Sequence, residues 1–261
     1  MSDFDWTTAS DDEVDFQYSP SRHALRPLDD YLHEYAELSA SHRTTQLTMA
    51  GAPLLIYIHG GYWQRLSAAD SLFNAPDAIT HGISLHAVEY TLAPHASVEE
   101  IVHECIADVL KVLKELEPSR VVIAGCSAGA HLSAMCARHS EIQHRIDGIA
   151  LLSGIYDVQP IVRTPTNDPL RLTFESARDI SPQLLPIVPS PTHALLAVGQ
   201  HESSEFIRQN AAYGEMLRKN GSEVTISVVP DRDHFNLPYD LLSSGTIVGD
   251  WVLNVLKGKE K

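Results

Sequence analysis

Five residues, Gly125-Cys126-Ser127-Ala128-Gly129, spell G-x-S-x-G between an apolar run and a helix-forming stretch. A serine on a sharp strand-to-helix turn exposes its hydroxyl. Glycines on either side let strand and helix approach each other. The five letters alone could arise by chance in an ordinary turn; their position after VVIA favours a nucleophile. A free serine hydroxyl is a weak nucleophile and needs a base that is itself oriented by an acid. For a serine on such a turn the expected chain order is serine, acid, histidine. Of fourteen histidines, His234 in DRDHFN follows the last strand-like run and is the candidate base. The candidate acid is Glu202, where HALLAVG runs into Gln200-His201-Glu202, with Glu205 as runner-up. Glu202 would equally suit a helix N-terminus, where the dipole favours an acid. Asp231 and Asp233 read as shaping the turn of His234, Asp157 as following another strand, and His131 as a packed helix residue.

A second constellation, His59-Gly60-Gly61-Tyr62-Trp63, ends the run PLLIYI. Adjacent glycines free the backbone to aim N–H groups at one point, which a developing oxyanion requires. The candidate oxyanion donors are Gly60, Gly61, Tyr62 and Ala128. Tyr62 and Trp63 are expected to wall a substrate pocket, with core packing the rival use for Trp63. His59 is expected to brace this loop and, with Tyr62 and Trp63, to be among the substrate-binding residues. Cys126 occupies the turn but not its nucleophile position and reads as a small buried hydrophobe. No metal-ligand spacing, phosphate loop or dinucleotide fingerprint appears, so neither metal nor cofactor is expected.

The elements that must position these residues are legible as alternating runs. Buried strands are expected at 53–58, 83–90, 121–125, 148–154, 193–199 and 223–229. Helices are expected at 25–40, 67–81, 97–118, 128–139, 204–219 and 240–257. In the first helix Leu28, Leu32, Tyr35 and Leu38 recur at helical intervals. In the third, Ser97 with Glu100 three residues on forms a capping box. Strands that are apolar throughout and alternate with helices predict a mostly parallel sheet covered on both faces. Ligands of such sheets bind outside the carboxyl ends of the strands, where all four informative loops fall. The proline-rich stretch 155–192 is expected to form a small irregular lid, and residues 1–21 a loose acidic leader. One domain is expected to span 1–261.

The chain has 261 residues, 34 acidic against 19 basic, for a net charge of −15. Six of the acids and no base precede Arg22. A chain this acidic has no field to attract nucleic acid or an anionic membrane. Its apolar runs are strand-length, too short to span a bilayer. The N-terminus MSDFDWTTAS lacks the basic and apolar regions of a signal peptide. Three cysteines without CxxC spacing suit a reducing cytoplasm. The oligomeric state stays open, a homodimer included.

HGGYWQ at 59–64, G-x-SAGAHL at 125–132, LSGIYDV at 152–158, QHESSEF at 200–206 and DHF at 233–235 together resemble the arylformamidases, or kynurenine formamidases. These are members of the α/β-hydrolase superfamily, and the similarity runs from about residue 18 to the end. The resemblance implies an α/β-hydrolase fold and hydrolysis of N-formyl-L-kynurenine to kynurenine and formate. It implies Ser127, Glu202 and His234 as the triad. Two departures stand out: Cys126 where the family often has His, and Glu202 where it often has Asp. The alternatives are a carboxylesterase of small acyl esters, a deformylase of another N-formyl amide from heterocycle breakdown, or a non-catalytic binding homologue. The substrate would be a small molecule bearing a carboxylate. Arg22 and Arg178 are the two guesses for its basic partner.

Overall fold

The sheet is built from six short apolar runs that need cover on both faces. The structure, a computed structural model, describes residues 4–43, 45–186, 188 and 193–258. In chain order the elements are α1 (Asp11–Gln17), α2 (Leu28–Ala40), β1 (Leu54–Ile58), α3 (Ala75–His81), β2 (Ser84–Val88) and α4 (Val98–Leu116). There follow β3 (Val121–Cys126), α5 (Ala128–Ala137), β4 (Gly148–Leu152), α6 (Asn167–Leu170), α7 (Phe174–Asp179), β5 (His193–Gly199), α8 (Ser204–Lys219), β6 (Glu223–Val229) and α9 (Ile247–Lys257). The sheet order is β2-β1-β3-β4-β5-β6, and every pairing is parallel. The strands β1, β3 and β4 are buried along their whole length. Side chains alternate between two cores. Ile56, Ile123 and Leu196 pack with α4, α5 and α8 on one face. Leu55, Val122 and Leu195 pack with α3 and α9 on the other. No helix among the described residues is long and apolar enough to cross a membrane.

Local chemistry sets the ends of several helices. Ser97 and Glu100 form the expected capping box of α4, satisfying two otherwise orphaned donors. Ser203 caps α8, its side chain accepting from Phe206 N.

Four expectations need correcting. The helix expected at 67–81 is a 3-10 turn, Ala68–Asp70, followed by the shorter α3, whose start is fixed by Pro76 in its first turn. The helix expected at 240–257 starts only at Ile247, because Gly245 turns the chain at φ 86° and Thr246 caps α9. The buried stripe of α2 is Tyr31, Tyr35 and Ser39, while Leu38 is exposed. The acidic leader is not loose. Its capped helix α1 buries Val14 completely, and Tyr18 behind it is 2% exposed. Residues 1–3 of that leader lie outside the described residues, as do 187 and 189–192 of the stretch 155–192. The described part of that stretch is a 3-10 turn (Gln159–Arg163), α6 and α7.

Candidate active site

The parallel register brings three loops side by side at the carboxyl edge. Cys126 is paired with Leu152, and Leu152 with Ala197. The next residues along each chain segment, Ser127, Ser153 and the Gly199–Glu202 turn, are therefore neighbours. Ser127 sits at the mouth of α5 with φ 58° and ψ −123°, a conformation that side chains rarely adopt. Strain of this kind costs on the order of 1–3 kcal/mol and persists only where surroundings enforce it. Here Ser127 N donates to Leu152 O at 2.9 Å. Gly129 is obligatory beside it, since a Cβ there would lie 2.0 Å from the Ile58 carbonyl oxygen.

His234 and Glu202 form a buried pair. His234 Nδ1 lies 2.7 Å from Glu202 Oε2, and their side chains are 5% and 1% exposed. The other carboxylate oxygen, Oε1, accepts from Ser153 Oγ at 2.5 Å and Gly199 N at 2.7 Å. Each oxygen of this buried carboxylate is thus hydrogen-bonded, as a buried charge demands. With Nδ1 engaged, Nε2 is the ring nitrogen free to take a proton. Ser127 and His234 line one cavity of about 380 Å³. No hydrogen bond joins their side chains, a looseness common before substrate arrives.

Ser153 is absent from the sequence-based candidates. It is fully buried at φ 50°, immediately after β4. Its position at the carboxyl end of a fourth apolar run, within LSGIYDV, was the available signal, but nothing in that motif marked the serine as a partner of the acid.

The loop after β1 curls back over Ser127. Gly61 takes φ 96°, and a Cβ on it would meet the Arg65 carbonyl oxygen at 2.4 Å. Gln64 N and Arg65 N both donate to Gly61 O, closing a tight turn. The N–H groups of Gly61, Tyr62 and Ala128 donate to no protein acceptor among the described residues. Gly60 is buried and packs against Cys126 and Ser127. Tyr62 lines the cavity and donates its hydroxyl to Tyr18 O at 2.5 Å.

Two expected pocket residues lie elsewhere. Trp63 is fully buried in the core and meets His131 edge-on at 5.2 Å, so it cannot wall the cavity. Tyr62 and Trp63 both have positive φ, and their rings meet edge-on at 6.1 Å, with Tyr62 on the cavity lining and Trp63 in the core. His59 is 1% exposed, stacks on Tyr90 at 4.1 Å and braces the loop through Nδ1 near Gly60 O, away from the cavity lining. Burial pushes the imidazoles of His59 and His131 down to about 4, partly offset by the carbonyls of Gly60 and Ile180 beside them. Burial, and after it the charges of Glu202 and Asp233, push the Cys126 thiol well up, which keeps it a protonated hydrophobe.

The remaining candidates have structural partners. Glu205 binds Arg208 and accepts from the Tyr18 hydroxyl at 3.0 Å. Asp157 accepts from Gln159 N. Arg22 pairs with Asp15, and Arg178 lines a separate surface hollow beside Phe174. Neither cation reaches the cavity. Asp233 shapes its turn: one oxygen accepts from Phe235 N and Asn236 N, the other from Leu25 N and the Tyr31 hydroxyl. Burial raises its carboxyl, but these four donors outweigh that and leave it below the usual range.

The sheet, the strained serine turn and the loops at its edge are those of a serine hydrolase, and residues 55–237 match the family model described as alpha/beta hydrolase fold. A solved structure of a candidate thioesterase from Silicibacter superposes with a TM-score of 0.80, covering 94% of this chain and 99% of that one at 21% identity. That likeness is one of fold. A kynurenine formamidase from Danio rerio is 32% identical over 97% of this chain and 98% of its own. One from Salmo salar is 37% identical over 80% of this chain and 73% of its own. The chain belongs to the kynurenine formamidase family.

Proposed function

We propose that the protein hydrolyses N-formyl-L-kynurenine to L-kynurenine and formate, with Ser127 as nucleophile, His234 as base and Glu202 as the acid that orients it. The observation that carries this reading is the buried 2.7 Å His234–Glu202 pair opening onto the cavity that Ser127 lines. Ser127 Oγ attacks the formyl carbon while His234 Nε2 takes its proton. The oxyanion is received by the N–H groups of Gly61, Tyr62 and Ala128, the last at a helix N-terminus. Collapse breaks the C–N bond as His234 returns the proton to the aniline nitrogen, leaving formyl-Ser127. Water then attacks the formyl carbon and gives its proton to His234. Formate departs and Ser127 regains its hydroxyl. An anilide nitrogen leaves more readily than an alkyl amine, and a formyl group needs little room beside Gly60. The aromatic walls Tyr35, Tyr57 and Phe235 suit a planar leaving group. Three free cysteines suit a reducing cytoplasm.

The test is to incubate the protein with N-formyl-L-kynurenine and follow kynurenine absorbance, with p-nitrophenyl acetate beside it. Ser127→Ala should lose at least about 10³-fold in kcat while folding normally. Ester cleavage without formamide cleavage would move the substrate to a small acyl ester. An active, folded Ser127→Ala protein would end the assignment.

A further inference from the structure

The cavity lining contains no carboxylate side chain, and its one permanently charged residue is Arg65. This is conspicuous in a chain of net charge −15, in which most arginines are paired. The Arg65 guanidinium makes no ion pair or hydrogen bond among the described residues, and the side chain is exposed at the rim. Its backbone is fixed. Arg65 N donates to Gly61 O at 3.1 Å, so the cation stands on the same closed turn that presents the Gly61 and Tyr62 N–H groups. A free guanidinium at the rim of the cavity can hold a planar anion on one part of a substrate while a carbonyl on another part meets Ser127. Guanidinium suits a carboxylate better than an ammonium does, because its fork matches two oxygens.

We propose that Arg65 is the anion anchor of this cavity and selects leaving groups that carry a carboxylate on a side chain of the aromatic ring. The inference rests on the proposed deformylase reading, which supplies such a leaving group: N-formyl-L-kynurenine carries its carboxylate at the end of a chain ortho to the formamido group. Arg65 touches no reacting atom, so its contribution is uniform binding and falls on KM more than on kcat.

The test compares two substrate pairs on the same preparation: N-formyl-L-kynurenine against neutral formanilide, and phenyl acetate with and without an ortho carboxyalkyl chain. A ratio of kcat/KM values is independent of the folded fraction. In the wild type both ratios should favour the anionic member. Arg65→Gln should cut the preference about tenfold, mainly through KM, and Arg65→Lys should restore part of it. Added salt should erode the wild-type preference and leave that of Arg65→Gln nearly flat. An unchanged ratio in Arg65→Gln, or equal losses on both members of each pair, overturns the anchor. If the wild type cleaves neither formamide but keeps an Arg65-dependent preference between the esters, the anchor stands and the formylkynurenine assignment falls.

Discussion

At the scale of single residues, the site turns on how a glutamate is held where its family often has a shorter acid. Glu202 has one more methylene than aspartate and one more rotatable bond to restrain. The Ser153 hydroxyl and Gly199 N–H grip Oε1, which fixes the plane of the carboxylate and leaves Oε2 for His234. Ser153 is itself at φ 50°, where glycine would be more comfortable. Two substitutions therefore separate its roles. Ser153→Ala removes the hydroxyl and keeps the strain; Ser153→Gly removes both. If the hydroxyl positions Glu202, both should lower kcat about 10- to 100-fold, the weight of one hydrogen bond to a buried charge, with KM little changed. Thermal melting should nevertheless rank Gly above Ala. Activity that tracks melting temperature instead of the loss of the hydroxyl would reduce Ser153 to a structural residue.

At the scale of elements, the N-terminal segment is the part of the molecule that its sequence describes least well. Its six acids suggested a solvated leader, yet α1 and α2 clamp the loops that carry Glu202 and His234. The Ser203 hydroxyl donates to Gln17 O at 2.6 Å, Gln209 donates to the Tyr18 hydroxyl, and the Tyr35 hydroxyl donates to Phe235 O. Tyr31 donates to Asp233, next to His234. These bonds explain why Tyr31 and Tyr35, of which helical spacing picks out only Tyr35, form the inward face of α2. Leu28 and Leu32 face the cavity instead. Periodicity counts apolar positions; it does not register hydroxyls that serve a loop some 200 residues away. Tyr31→Phe leaves Asp233 one donor short and should cost about 1–3 kcal/mol in urea unfolding, with a several-fold fall in kcat. Lost stability with unchanged kcat would show that the clamp holds the fold without positioning His234.

At the scale of the whole molecule, the sheet was readable because parallel strands buried on both faces are apolar throughout, and all six runs fall where strands form. The chemistry was readable where it follows motifs on strand ends, as at 59–63 and 125–129. It was opaque where a role depends on which way a side chain turns, as Trp63 and His59 show. Those two misplaced residues, with His131 beside Trp63, give the molecule a property of its own: imidazoles kept neutral beneath the site. His59 and His131 titrate near 4 when folded and near 6.5 when unfolded. Below pH 6.5 the unfolded chain binds protons that the folded chain refuses, so stability falls with falling pH. The contribution is complete above about 6.5 and gone below about 4, on the order of 3 kcal/mol for each ring, a sizeable share of a typical 5–15 kcal/mol total. Depressed carboxylates such as Asp233 are lost only at lower pH, and Asp157, raised by burial, gains its proton more readily folded than unfolded and so opposes the decline that the two histidines cause. Unfolding free energies from urea titrations across pH 7.5 to 4.5 should decline as the pH falls below about 6.5. His131→Gln removes one titrating ring and can keep a donor for the Ile180 carbonyl, now 2.7 Å from His131 Nε2. It should be less stable than wild type at pH 7.5, yet lose less on acidification, so the two curves converge. Parallel curves would mean that His131 gains its proton in the folded protein without cost.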